Sequence, residues 1–118
     1  MDLTQREIAQ SFSKGDFEQT YPYLSEKIEW NVINNFLCKG KKEVIDQCKK
    51  STEYFASITT DFEQLDVIDA TNKVVVTGTA ELSKQGKRIE FISACDVYEF
   101  NDNNMVQKIT SYCLVEKE

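Results

Sequence analysis

The chain contains no histidine. With it go the commonest general base and metal ligand, and the only side chain whose unperturbed pKa lies near neutrality. Serine or cysteine nucleophiles worked by a histidine base are excluded for the same reason. One proline and four glycines in 118 residues are too few for a fibrous or low-complexity chain. No stretch approaches the ~18 uninterrupted apolar residues of a membrane-spanning helix. The densest run, residues 89–98, is broken by Glu90, Ser93 and Asp96. Basic charge is also short: 14 Lys+Arg against 20 Asp+Glu leaves −6. That balance repels phosphate backbones and anionic lipid heads, so neither nucleic acid nor a membrane surface is an expected partner. Nucleotide use lacks support too, since there is no G-x-G-x-x-G and no phosphate-cradling loop.

What is present is a folded-protein composition, 41% hydrophobic and 29% charged. A chain of this length buries about two-thirds of its unfolded surface, so residues 1–118 read as a single domain. Cys38, Cys48, Cys95 and Cys113 never form C-x-x-C, and without histidine a zinc site would need all four from scattered elements. No metal and no cofactor is called for. The cysteines read as reduced, mostly buried thiols. The N-terminus is charged from Asp2 onward and lacks the layout of a secretory signal, so the expected location is cytoplasmic.

Leu3, Ile8, Ala9 and Phe12 recur at helical spacing up to Gly15, which predicts a helix over residues 3–14 with a glycine end. Asp16 stands where the N-cap of a second helix belongs, and Pro22 makes that helix short or kinked. Residues 27–32 alternate as a half-buried strand, 34–40 read as a loop, and Val44, Ile45, Cys48, Thr52 and Phe55 place a helix over about 41–56. Four β-rich runs follow, at 58–67, 73–82, 89–100 and 105–115, joined by short polar turns that force antiparallel neighbours. Helices first and a meander after make an α+β domain, with helices on one face of a curved, mainly antiparallel sheet. In the run 89–100, Ile92, Ala94, Asp96, Tyr98 and Phe100 share one face, and Ile89, Phe91, Ser93, Cys95 and Val97 the other. Both faces want cover and helices can cover only one. The other meets a second subunit, as a homodimer through the sheet, or is shielded by the sheet's own curl.

Several segments resemble the nuclear transport factor 2-like superfamily. These are Phe12-Ser13-Lys14-Gly15-Asp16-Phe17, Ile28-Glu29-Trp30, Gly40-Lys41-Lys42-Glu43-Val44-Ile45 and Asp96-Val97-Tyr98-Glu99-Phe100. The closer similarity is to its SnoaL-like and ketosteroid-isomerase-like branch. The resemblance implies a cystatin-like cone of helices wrapped by a bent sheet, often dimeric, with an apolar pocket inside. It also implies that Asp96, in the pattern Asp-x-aromatic-x-Phe, stands at the branch's oxyanion-hole carboxylate. Asn31 or Val32 stands at its general base, and Ile8 at its oxyanion tyrosine, with Tyr21, Tyr23 or Tyr54 able to approach from other elements. The Asp-Arg-Asp set of the epoxide hydrolase members would have to draw on Arg6 or Arg88, the only arginines.

Asp96 is the sharpest candidate for chemistry. A carboxylate on an apolar strand face is costly to bury ionised, so burial raises its pKa and equips it as an acid or hydrogen-bond donor. The alternative is a structural aspartate satisfied by Tyr98, Tyr112 or a backbone amide. Trp30 and Asn31 are strand neighbours, so only one of them faces the pocket; Trp30 has a core role as its alternative. Tyr54, Phe55, Tyr98 and Tyr112 form a candidate aromatic lining, with ordinary core packing as the alternative, and Tyr54, Tyr98 and Tyr112 complete the candidate ligand contacts. The leading functional reading is a pocket for a small, largely apolar ligand. The alternatives are an isomerase- or cyclase-type enzyme transferring protons on a carbonyl-containing molecule, without histidine or metal, and a non-catalytic dimerisation module.

Overall fold

The computed structural model describes residues 2–116. Helix α1 (Gln5–Ser13) is set by its two ends. The Thr4 hydroxyl accepts the Glu7 N–H at 3.1 Å, and the Glu7 carboxylate accepts the Thr4 N–H at 2.9 Å. This capping box satisfies two orphan donors and holds the Glu7 carboxyl below its ordinary range. At the far end Gly15 takes φ +89°, while the N–H groups of Gly15 and Asp16 return to the carbonyls of Phe12 and Ser11 at 3.1 and 2.9 Å. Asp16 therefore belongs to the closure of α1 and is not the cap of a following helix. The next segment is a short 3-10 helix, Glu18–Tyr23, containing Pro22 and preceded by Phe17 without a side-chain cap. The Asp16 carboxylate accepts a hydrogen bond from Gln19 Nε2 instead.

The strands are β1 (Leu24–Val32), β2 (Phe36–Lys39), β3 (Thr59–Ala70), β4 (Lys73–Lys84), β5 (Lys87–Phe100) and β6 (Val106–Glu116), with helix α2 (Lys41–Ala56) between β2 and β3. The reading of 34–40 as a loop is corrected here. Asn34, at φ 64°, turns the chain back, and Phe36–Lys39 pairs antiparallel with β1. Four residues are too short to display a strand period, yet Cys38 is buried and Leu37 exposed as alternation requires.

One six-stranded sheet results, in the order β2-β1-β6-β5-β4-β3. Only β1 and β6 run parallel. The register sets two rows across its concave face. Val74, Tyr98, Ile109, Trp30 and Cys38 form one, and all are buried. The next is Val67, Val76, Asp96, Ser111, Val32 and Phe36, so one acid stands in an otherwise mostly apolar line. Ile8, Ala9 and Phe12 of α1 and Val44 and Cys48 of α2 close over these rows. Burial pushes the Cys48 thiol up to about 12. The architecture is the expected α+β cone.

The opposite, convex face carries a row of Ile68, Val75, Val97, Thr110, Asn31 and Leu37. Ile68, Leu37, Tyr112 and Leu114 are exposed there. Among the described residues, no helix is long and apolar enough to cross a membrane.

Candidate functional site

A cavity of about 220 Å³ lies between the end of α1, the C-terminal half of α2 and the concave face of the sheet. Its walls are aromatic: Phe12, Phe17, Trp30, Phe36, Phe55 and Phe62, with Val32, Val76, Ala80, Ile92 and Ala94 filling between them. Phe12 and Trp30 meet edge to face at 5.0 Å, as do Trp30 and Phe36 at 5.3 Å and Phe55 and Phe62 at 5.4 Å. Such pairs fix ring positions beyond what area burial supplies. Gly78 lines the cavity where β4 passes the bulge in β3. A Cβ there would lie 2.6 Å from the Glu63 carbonyl oxygen, so the backbones approach as closely as only glycine allows.

Asp96 forms part of the lining, and a chain of hydrogen bonds closes on it from two sides. On one side the Trp30 indole N–H donates to Ser111 Oγ at 3.1 Å, and Ser111 stands opposite Asp96 in the β5–β6 register, where its hydroxyl favours the charged carboxyl. On the other side Ser13 Oγ donates to Asp96 Oδ2 at 2.8 Å and lies 2.6 Å from the Tyr98 hydroxyl. Ser13 has one proton and gives it to Asp96, so the Tyr98 phenol donates to Ser13. Burial holds that phenol well above its ordinary pKa, with the neighbouring Asp96 charge adding to the effect, so it stays a neutral donor. Burial likewise pushes the Asp96 carboxyl above its ordinary range, and the hydroxyls of Ser111 and Ser13 pull it part of the way back.

Of the sequence candidates, Asp96 and Trp30 line the cavity, and Trp30 also packs in the core at 7% exposure. Tyr98 is fully buried behind Ser13 and reaches the cavity only through that hydroxyl. Asn31, Tyr112 and Tyr54 do not line it. Asn31 pairs in register with Thr110, and Tyr112 with Cys95, both on the convex side of the alternation. Tyr54 is 48% exposed on α2, one position away from Phe55, which takes the lining role. Val32 lines the cavity, Ile8 is buried in the core, and Tyr21 and Tyr23 pack against that core. Arg6 pairs with Asp69 and Arg88 with Glu81, and neither lines the cavity. Sequence reasoning missed Ser13 and Ser111 as partners of the carboxylate. The signal for Ser111 was inward alternation with Ile109, legible once β6 is set against β5.

The SnoaL-like domain family matches over residues 5–109. Among solved structures, the chain is similar to an NTF2-like protein of unknown function from Cytophaga hutchinsonii. The two are 39% identical over 91% of this chain and 93% of that one, with a TM-score of 0.81. An LEH-like epoxide hydrolase of M. tuberculosis shares the fold at 12% identity, covering 93% of this chain and 82% of its own, with a TM-score of 0.71. So does a SnoaL-like protein of unknown function from Burkholderia thailandensis, at 14% identity over 93% and 90% of the two chains and a TM-score of 0.66. No curated protein matches the chain.

Proposed function

The chain belongs to the SnoaL-like domain family and has the NTF2-like fold; from that premise we propose that it binds a small, largely apolar molecule in the Asp96 cavity. The observation that carries this reading is a space of about 220 Å³, aromatic on its walls, with a single largely buried carboxyl held ready inside it. The volume sets the scale of the ligand: a cavity of ~150 Å³ takes benzene, so this one holds about nine heavy atoms. Trp30, the only tryptophan, stands in the wall and reports occupancy. Titration with toluene or benzyl alcohol is expected to change its emission saturably, and Ala94→Phe, which fills the cavity, to abolish the response. Emission that no small aromatic probe changes saturably contradicts the reading. It would favour a purely dimerising role.

Burial of the Asp96 carboxyl, which raises its pKa against the pull of the two serine hydroxyls, favours a second reading, proton transfer next to a carbonyl group with Asp96 as acid or hydrogen-bond donor. Of the two candidates for a general base, Val32 has no ionisable group and Asn31 faces away, so the carboxyl would act without a carboxylate partner. With Asp96 donating to the carbonyl oxygen and solvent water taking the α-proton, this reading predicts deuterium exchange at the α-carbon of cyclopentanone in heavy water, lost in Asp96→Asn. A wild-type rate equal to buffer sinks it.

The exposed convex face supports a homodimer in which two copies pair their sheets. Leu114, 74% exposed, is the point to disturb: Leu114→Glu is expected to convert a dimer to monomer in analytical ultracentrifugation, and a monomeric wild type contradicts the pairing. Four free cysteines fit a reducing cytoplasm.

A further inference from the structure

Resting on the reading of the cavity as a ligand site, we propose that its ligand is a small organic cation, a protonated amine on an apolar body of about nine heavy atoms. The first ground is the direction of the hydrogen bonds. An indole N–H can only donate, so Trp30 occupies the Ser111 oxygen and leaves the Ser111 proton free to turn toward its register partner Asp96. The Tyr98 phenol does the same through Ser13. Ser13 thus aims its hydrogen at the carboxyl, and Ser111, its oxygen already taken, can only offer its own, an arrangement that suits the charged form of Asp96.

The second ground is a missing counter-charge. The ion pairs among the described residues are Arg6–Asp69, Lys42–Asp46 and Arg88–Glu81, and none involves Asp96. Lys14 and Glu63 also line the cavity, but both are exposed and of opposite sign, so they neither neutralise Asp96 nor set the sign of the interior. A carboxylate largely removed from water without a cation is costly, and a ligand cation removes that cost.

The third ground is the wall. Aromatic faces attract cations, and six aromatic rings share the wall with Asp96, which suits an ammonium head with an apolar tail. A carbonyl ligand would need a donor from the wall, yet Ser13 directs its hydrogen to Asp96. The net charge of −6 draws cations toward the protein as well.

The test compares benzylamine, benzyl alcohol and benzaldehyde, matched in size, by isothermal titration calorimetry at neutral pH on the wild type and Asp96→Asn. Benzylamine is expected to bind the wild type about tenfold or more tightly than benzyl alcohol. Asp96→Asn should cost benzylamine about that factor and leave benzyl alcohol within about threefold. If benzyl alcohol or benzaldehyde binds the wild type as tightly as benzylamine, the cation is wrong while the ligand site stands. Equal weakening of amine and alcohol by Asp96→Asn also overturns the cation. If none of the three binds, the ligand-site reading falls and takes this inference with it.

Discussion

Replacing Ser111 with alanine removes one oxygen atom and leaves two buried groups short of a partner. Ser111 is 4% exposed, accepts from the Trp30 indole at 3.1 Å and supports the Asp96 carboxylate. Stranding a buried neutral donor costs about 1–3 kcal/mol, and losing a hydrogen bond to a charged group costs about 1.5–3 kcal/mol. The indole and the carboxyl both border the cavity, where water can enter and replace part of what is lost. The expected destabilisation is therefore near the low end of the sum, about 2–3 kcal/mol at neutral pH. It should also depend on pH. The hydroxyl favours the charged carboxyl, so the folded state of Ser111→Ala holds its proton to higher pH than the wild type, and the loss shrinks in acid, where Asp96 is protonated in both. Urea unfolding followed by circular dichroism, in acid and at neutral pH, measures both quantities. A loss below about 0.5 kcal/mol, or an equal loss at the two pH values, refutes the reasoning, because the hydroxyl would then not be holding a charge.

Two further perturbations probe the same floor. Asp96 has a folded-state pKa raised above the ordinary 3.8, so the folded chain keeps a proton that the unfolded chain has lost. Its contribution is full below 3.8 and declines as pH rises through the raised value. Asp96→Asn should therefore gain stability relative to the wild type from acid to neutral pH, and a wild type that gains instead would mean that the carboxyl is lowered. Gly78→Ala would place a Cβ 2.6 Å from the Glu63 carbonyl oxygen, a backbone atom that only a shift of β3 can move. A loss of about 1–3 kcal/mol, read as a lower urea midpoint, is expected; an unchanged midpoint shows that the bulge relaxes freely.

The parts of the fold visible in sequence are those whose signal is local. Gly15 ends α1 where periodicity stops, and the polar turns separate β3 through β6 because the chain must reverse there. Asp16 misled because an acid after a glycine looks like a cap, whereas its backbone was already committed to the carbonyl of Ser11. Strand β2 was hidden because its pairing with β1, not its composition, makes it a strand. The site divides in the same way. Asp96 stands out as an acid in an apolar row, which alternation alone reveals. Ser13 and Ser111 carry no such contrast, and their meaning appears only when the end of α1 is laid over the Asp96–Ser111 pair. Asn31 and Tyr112 face away, and Tyr54 lies one place from Phe55, a single-residue difference that strand or helix phase decides.

The most direct test of the central claim follows two nuclei at once by NMR, the single Trp30 indole N–H and the Asp96 side-chain carboxyl carbon, as benzylamine is added. Both stand at the cavity wall and are joined through Ser111. The account predicts that they shift together along one saturable curve in the wild type, and that neither moves in Ala94→Phe. If both remain still with benzylamine and with benzyl alcohol alike, or if Ala94→Phe responds like the wild type, the cavity is not a ligand site.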